Sequence, residues 1–342
     1  MTQINQRKLD HIHIVSEGEG IDRQQGYFDR IHLTHRALPE LSLADVDSSV
    51  TFMGKELAFP LVISSMTGGA DAELVKINRN LALAAEAEGV GLAVGSQRIL
   101  LSDDAARESF ELRQYAPTCL LFGNLGAVQL NYGMGFADCE AAMQVLDADA
   151  LYLHLNPLQE AVQPEGDTDF SSLRSKIAGI VQTLKQPVII KEVGAGVSPE
   201  DVEHLLAAGV KYIDLAGSGG TSWSMVESHR SAEPALGDLF KDWGIPTPLA
   251  LQMMKPYRHE VKLIASGGVR NGIDMVKSLI LGASLCGVAR PFLDPARESA
   301  DAVRAVIRRL KREFTTAMFL LGAECIDDIK ENEGLILNEN WH

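Results

Sequence analysis

Cysteine is scarce in this chain. The 342 residues hold only four, at positions 119, 139, 286 and 325, and no two form a CxxC pair. That spacing excludes a zinc ribbon and a disulfide framework, and Cys119 and Cys286 sit inside apolar runs as small core residues. Basic charge is also in deficit: 31 Lys and Arg face 46 Asp and Glu, a formal net charge of -15. A nucleic-acid binder carries a basic face, and none is visible here. No apolar run approaches the roughly 20 residues of a transmembrane helix. The start, MTQINQRKLDHIHIV, lacks the hydrophobic stretch of a secretory leader. The expectation is a cytoplasmic protein that binds neither nucleic acid nor membrane. An anionic ligand remains open, because a few local cations and backbone N–H groups can hold a phosphate inside an acidic protein.

What the chain does have is a rhythm. It is 46% hydrophobic, enough for a large core, and after about 60 residues of mixed character short apolar runs alternate with amphipathic stretches. The runs are LVISSM from Leu61, VGLAV from Val90, CLLFGNL from Cys119, ALYLHL from Ala150, PVIIKEV from Pro187, YIDLAG from Tyr212, KLIASGG from Lys262 and SLCGVA from Ser284. Helix-like segments such as 72–89, 169–185 and 199–209 separate them; in the last, Ser198 can cap, Pro199 suits the first turn and Gly209 can terminate. Eight such units predict a parallel, closed (β/α)8 TIM barrel over residues 61–325. Residues 1–60 then form an N-terminal flap and lead-in segment, and 326–342 a C-terminal tail. The Gly-, Ser- and Pro-rich connection 216–246 reads as an inserted active-site loop.

In such a barrel the chemistry sits at the carboxyl ends of the strands. Those ends here carry Met66-Thr67-Gly68-Gly69, Gly95-Ser96-Gln97-Arg98, Asn124, His154 with Asn156, Gln159 and Glu160, Lys191-Glu192, the turn 217–221, the turn 267–270 and Ala289-Arg290. Polar or glycine chemistry at every strand end points to one shared pocket. The glycine turns 216–222 and 265–272, with Ala289-Arg290, suit a phosphate, though tight turns alone also use glycine. Lys191 could pair with a phosphate, form a Schiff base, stabilise an anionic ring or merely begin a solvated loop. His154 could be a satisfied core histidine. Glu160 could cap the next segment, move a proton with its neighbour Gln159, or serve as the lone carboxylate of a Mg²⁺ site.

Together the motifs RKLDH (7–11), SSMTGG (64–69), GSQR (95–98), GNLG (123–126), HLNPLQE (154–160), KEVG (191–194), DLAGSGGTSW (214–223) and SGGVRNG (266–272) resemble type 2 isopentenyl diphosphate isomerase, the flavin-dependent form. The resemblance implies FMN held by Ser65, Met66, Thr67, Ser96, Asn124, Lys191, Ser218, Thr221, Gly268, Val269, Arg270, Ala289 and Arg290. It implies a small-molecule diphosphate substrate met by Arg7, Lys8, His11, Ser96, Gln97, Arg98, His154, Asn156 and Gln159, with Mg²⁺ on Glu160. Gln159, His154 and Lys191 would be the catalytic residues, and NADPH would reduce the flavin. Isoprenoid biosynthesis and a homo-oligomer, tetramer or octamer, follow from the same resemblance. Without it, Arg7, Lys8 and His11 read as a solvated start; with it, they become a flap over the diphosphate. SGGVRNG and GGT elements also resemble those of FMN-dependent hydroxy-acid oxidases and dehydrogenases, which are the alternative. A nucleotide dehydrogenase is a third reading, but it needs a loop cysteine, and Cys119 and Cys286 lie within strand-like runs.

Overall fold

A computed structural model describes residues 3–337 apart from Glu19 and Gln24, with side chains from residue 6 onward. The last five residues of the C-terminal tail and the first two of the flap lie outside the described residues. The first strands form a hairpin, β1 (Val50–Phe52) and β2 (Lys55–Leu57). Met53 and Gly54 both take positive φ at its tip, as a two-residue turn between twisted strands requires. Sequence reading had no hairpin here, because three-residue strands are too short to show a period.

The eight apolar runs are all strands: β3 (Leu61–Ile63), β4 (Gly91–Ala93), β5 (Leu121–Gly126), β6 (Ala150–Leu155), β7 (Val188–Glu192), β8 (Tyr212–Asp214), β9 (Lys262–Ser266) and β10 (Ala283–Val288). They pair in parallel, in chain order, and β10 closes onto β3. The structure is thus the expected (β/α)8 barrel. Helices form where caps and apolar faces dictate them. Asp71 caps Ala72–Glu88 and Gly89 ends it in the left-handed region; Ser198 accepts from Asp201 N ahead of Pro199–Ala207; Asn271 caps Gly272–Ile280.

Side-chain alternation along the strands builds two cores and, above the inner one, the site. Leu121, Leu151, Leu153, Ile190, Ile213 and Leu263 face outward into the helix layer. Val62, Ala93, Phe122, Ala150, Tyr152, Ile189, Ile264 and Leu285 face inward, with Phe52 and Leu57 of the hairpin closing the bottom. Lys55 fastens that plug to Asp149 and to the Cys119 carbonyl, each at 2.9 Å. Two residues further along each strand the same inward direction reaches Ser64, Gly95, Asn124, His154, Lys191, Asp214, Ser266 and Gly287. An oily interior therefore gives way to a polar layer within one strand period. The connection 216–246 is not an open loop; it carries the short helices Trp223–Ser228 and Pro234–Leu239. The tail turns back on the lead-in, where Leu337 N meets His32 O at 2.8 Å.

Candidate active site

The polar layer floors a cavity of about 470 Å³ at the carboxyl ends of the strands, inside the roughly 300–1,000 Å³ typical of small-molecule sites. The N-terminal helix Gln3–Glu17 roofs it, presenting Arg7, Lys8, His11, Ile12 and Val15. A solvated start does not describe this segment. Lys8 is half-buried and held: its ammonium donates to the carbonyls of Gly68 and, at 2.7 Å, Ser96, above the Phe110 ring. Burial, then the charge of Arg7, brings its pKa down to about 7.

At the floor, Lys191 is buried rather than solvated. Its Nζ lies 3.4 Å from Asp214 Oδ2 and 3.3 Å from Ser266 Oγ. Asp214, fully buried, also accepts from Tyr152 OH at 3.0 Å and from Ser266 Oγ at 2.5 Å. A buried cation is tolerated because this carboxylate is itself satisfied. The cation is thus held rigid and aimed at the cavity. Asp214 opens the DLAGSGGTSW motif, but the sequence assigns neither it nor Tyr152 a role, although continuing the inward alternation of β8 from Tyr212 points to the aspartate.

On the neighbouring strands His154 Nδ1 lies 2.8 Å from Asn124 Oδ1, and Asn124 Nδ2 donates to Ser65 Oγ at 2.7 Å. In that arrangement Nδ1 carries the proton. Burial, with Lys191 and Arg7 nearby, lowers the His154 pKa to about 4. The imidazole is therefore neutral at pH 7, a polar acceptor and not a standing positive charge.

The turn after β6 is a short helix, Pro157–Val162, that crowds three polar side chains together. Asn156 Nδ2 donates to Glu160 Oε1 at 2.8 Å and to Gln159 Oε1 at 3.2 Å. Glu160 is buried, which raises its pKa, and its Oε2 accepts from Asp167 N at 2.7 Å. Gln159 Nε2 donates to Glu227 Oε1 at 2.8 Å. Glu227 comes from the 216–246 insertion and is wholly buried. Burial opposes its ionisation, but His11, Gln159 and Arg230 outweigh it and hold its pKa at about 2. His11 Nε2 lies 3.0 Å from Glu227 Oε1. Glu227 lies on the helix Trp223–Ser228, whose six residues are too few to show a helical period, so the sequence assigns it no role.

The opposite wall is a glycine cradle. Gly267 and Gly268 take positive φ, and a Cβ on either would meet the backbone of Gly217 at 2.0 Å or Gly219 at 2.8 Å. Arg270 beside them pairs with Asp274 at 3.0 Å and with Asp29 at 2.5 Å, and Arg290 with Asp294 at 3.1 Å. Met66, Val269 and Ala289 line the same wall. Thr67 faces the cavity with its buried Oγ1 unpartnered, and Thr221 Oγ1 donates to Asp22 at 2.8 Å. Close backbone approach, two arginines and an orphaned hydroxyl fit a phosphate-bearing cofactor. FMN fits this donor set.

Two expected contacts stand outside the cavity. Gln97 is fully buried; it donates to Ala142 O at 2.8 Å and accepts from Asn124 N at 2.9 Å, so its amide braces β5 from behind the cavity wall. Ser218 is buried behind the glycine turn with its hydroxyl unpartnered. Among the other expected residues, Arg7, Lys8, His11, Ser65, Met66, Thr67, Ser96, Arg98, Asn124, His154, Asn156, Gln159, Glu160, Lys191, Thr221, Gly268, Val269, Arg270, Ala289 and Arg290 all line one cavity.

Residues 140–335 match the FMN-dependent dehydrogenase family. Isopentenyl-diphosphate delta-isomerase of Hydrogenovibrio crunogenus is 54% identical over 98% of both chains. The protein of the same name from Paracoccus zeaxanthinifaciens is 54% identical over 96% of both, and that of Methanothermobacter thermautotrophicus 41% identical over 97% of this chain and 93% of that one. Among solved structures, a flavocytochrome b2 variant superposes with a TM-score of 0.70 at 18% identity, covering 96% of this chain and 82% of that one. A putative lactate oxidase of Pediococcus acidilactici gives 0.68 at 17%, covering 100% and 96%. These two share the fold. The chain belongs to the isopentenyl-diphosphate delta-isomerase family, in its FMN-dependent, type 2 form.

Proposed function

We propose that this enzyme interconverts isopentenyl and dimethylallyl diphosphate by a 1,3-allylic proton shift, with reduced FMN in the cavity. The observation that carries the reading is that one cavity joins a glycine–arginine cradle to a second, separate set of cations and carboxylates. One phosphate-bearing group would fill the cradle; the second set implies a second anionic ligand. Reduced FMN supplies a ring nitrogen able to exchange a proton with carbon and an electron-rich face that tolerates positive charge.

The chain's own residues bind, orient and exclude water. Arg7, Lys8 and Arg98 receive the diphosphate, and that binding energy orients the remote alkene. His154 offers a neutral acceptor beside them. The buried Lys191 ammonium is a preset positive charge for the anionic side of the reduced cofactor ring. Gln159 faces the hydrocarbon end; its amide is held by Glu227, whose ionised carboxylate accepts a proton more readily than the amide does. Ile12 and Val15 of the roofing helix keep that end dry, so this helix acts as the flap and the rest of residues 1–60 as its lead-in to the barrel.

Mg²⁺ would sit at Glu160. Among the described residues no group of three or more His, Cys, Asp or Glu could cage a metal. One carboxylate plus the unpartnered Asn156 Oδ1 suits a cation that keeps its waters and the substrate's phosphate oxygens. NADPH would prime the flavin without net redox change. The enzyme would be cytoplasmic and homo-oligomeric, a tetramer or octamer; among the described residues no helix is long and apolar enough to cross a membrane. Exposed Leu236, Leu239 and Trp243 on the insertion, with Leu249 just beyond it, support self-association.

The hydroxy-acid oxidase alternative calls for a histidine base in the glycine turns, and residues 216–222 and 266–272 contain none. Anaerobic mixing of the oxidised holoenzyme with 2-hydroxy acids should leave the flavin absorbance unchanged, whereas NADPH should bleach it. Bleaching by a 2-hydroxy acid would favour the oxidase.

A further inference from the structure

The loop that follows Glu160 bends back over it so closely that a Cβ on Gly166 would lie 1.8 Å from the Glu160 carbonyl oxygen. The next residue, Asp167, makes contacts in two directions. Its backbone N–H donates to Glu160 Oε2 at 2.7 Å. Its carboxylate accepts from Arg98 NH1 at 2.7 Å and from Gln129 Nε2 at 2.9 Å, both through Oδ2. Arg98 and Gln129 line the cavity and Asp167 does not; it stands behind them, its side chain 19% exposed. Arg98 leaves the barrel after β4 and Gln129 after β5, so one carboxylate ties three strand-end connections together. A long arginine side chain held at one end by a carboxylate loses less freedom on meeting an anion than a free one.

We propose that Asp167 is a positioning residue of this site, joining the carboxylate of Glu160 to the guanidinium of Arg98 so that the cation end and the phosphate end are preset as one unit. The inference rests on the reading above, that Arg98 meets the diphosphate and Glu160 the divalent cation. It assigns Asp167 no direct contact with either. The backbone of Asp167 fixes where the metal-bearing carboxylate points, and its side chain fixes the arginine.

The test uses the full-length holoenzyme with oxidised FMN, which binds substrate without turning it over. Titration calorimetry with isopentenyl diphosphate, and with inorganic pyrophosphate, is run with and without Mg²⁺. Asp167→Asn is expected to raise both dissociation constants about tenfold while the gain that Mg²⁺ confers stays, because the backbone N–H that holds Glu160 is retained. Flavin content and thermal midpoint should stay as in the wild type. In an Arg98→Ala background the same change should add little, because the group it positions is gone. If Asp167→Asn fails to retain FMN, Gln129→Met replaces it, with about threefold weaker binding expected. A variant that binds as well as the wild type or more tightly, or losses that simply add in the double variant, would overturn the role of Asp167. A wild-type protein that binds neither ligand would instead contradict the isomerase reading itself.

Discussion

The two ends of this barrel are built from the same strands and do opposite work. At the bottom, Phe52 and Leu57 of the hairpin plug an interior of Phe122, Tyr152, Ile189 and Leu285. One strand period higher, the inward positions become Asn124, His154, Lys191, Asp214 and Ser266. The lower end buries apolar area and gives stability. The upper end buries charge, and each buried charge there has partners: Lys191 with Asp214, Glu227 with Arg230 and Gln159, Glu160 with Asn156. Buried ion pairs contribute little net stability compared with packed hydrocarbon. The polar end is therefore sustained by the apolar one, and the two should be separable by mutation.

The largest expected effect breaks the lower end. Phe52→Ala should lose about 3–5 kcal/mol in chemical denaturation, because its ring is buried against Tyr212 and the inner core. The folded fraction should turn over at the normal rate; a matching loss of kcat in fully folded protein would show that the ends are not separable. At the upper end, Lys191→Met should lower kcat by about 10²–10³-fold while leaving pyrophosphate affinity unchanged. An equal rise in the dissociation constant would move Lys191 from the cofactor to the substrate.

A smaller effect lies in pH. Glu227 titrates at about 2 in the folded protein against an ordinary 4.5. A depressed carboxylate stabilises the fold above its unfolded pKa and loses that contribution as pH falls through the folded one. Glu227→Gln should thus be less stable than wild type at pH 7, with the gap in thermal midpoint closing between about pH 4.5 and 2. A constant gap would mean that packing, not charge, holds the insertion. Least of all, Ser198→Ala should cost about 1 kcal/mol by removing a helix cap remote from the cavity, with activity untouched.

Strands and loops differed in how much of this could be read from the sequence. Apolar runs bounded by polar strand ends were sufficient for the eight strands, because strands covered on both faces have a strong local signature. Lys191 and His154 were visible as polar residues ending such runs. Asp214 was equally available by counting two from Tyr212, but it sits beneath the cavity, where an acid in a strand draws no attention. Glu227 acts from a six-residue helix and Asp167 from an irregular loop, and no period leads to either; only the fold brings them to Gln159, Glu160 and Arg98. Gln97 shows the opposite failure. It stands between Ser96 and Arg98 in a functional motif, yet its amide points into the core and braces Asn124. Adjacency in a motif did not carry the direction of the side chain.

Isomerisation itself is tested most directly by NMR on the purified holoenzyme, incubated anaerobically in D2O with NADPH, Mg²⁺ and isopentenyl diphosphate. Dimethylallyl diphosphate should appear with deuterium incorporated at carbon, in amounts far above the NADPH oxidised, since reduction only primes the flavin. Substrate left unchanged and undeuterated by an enzyme whose FMN is bound and reduced would contradict it.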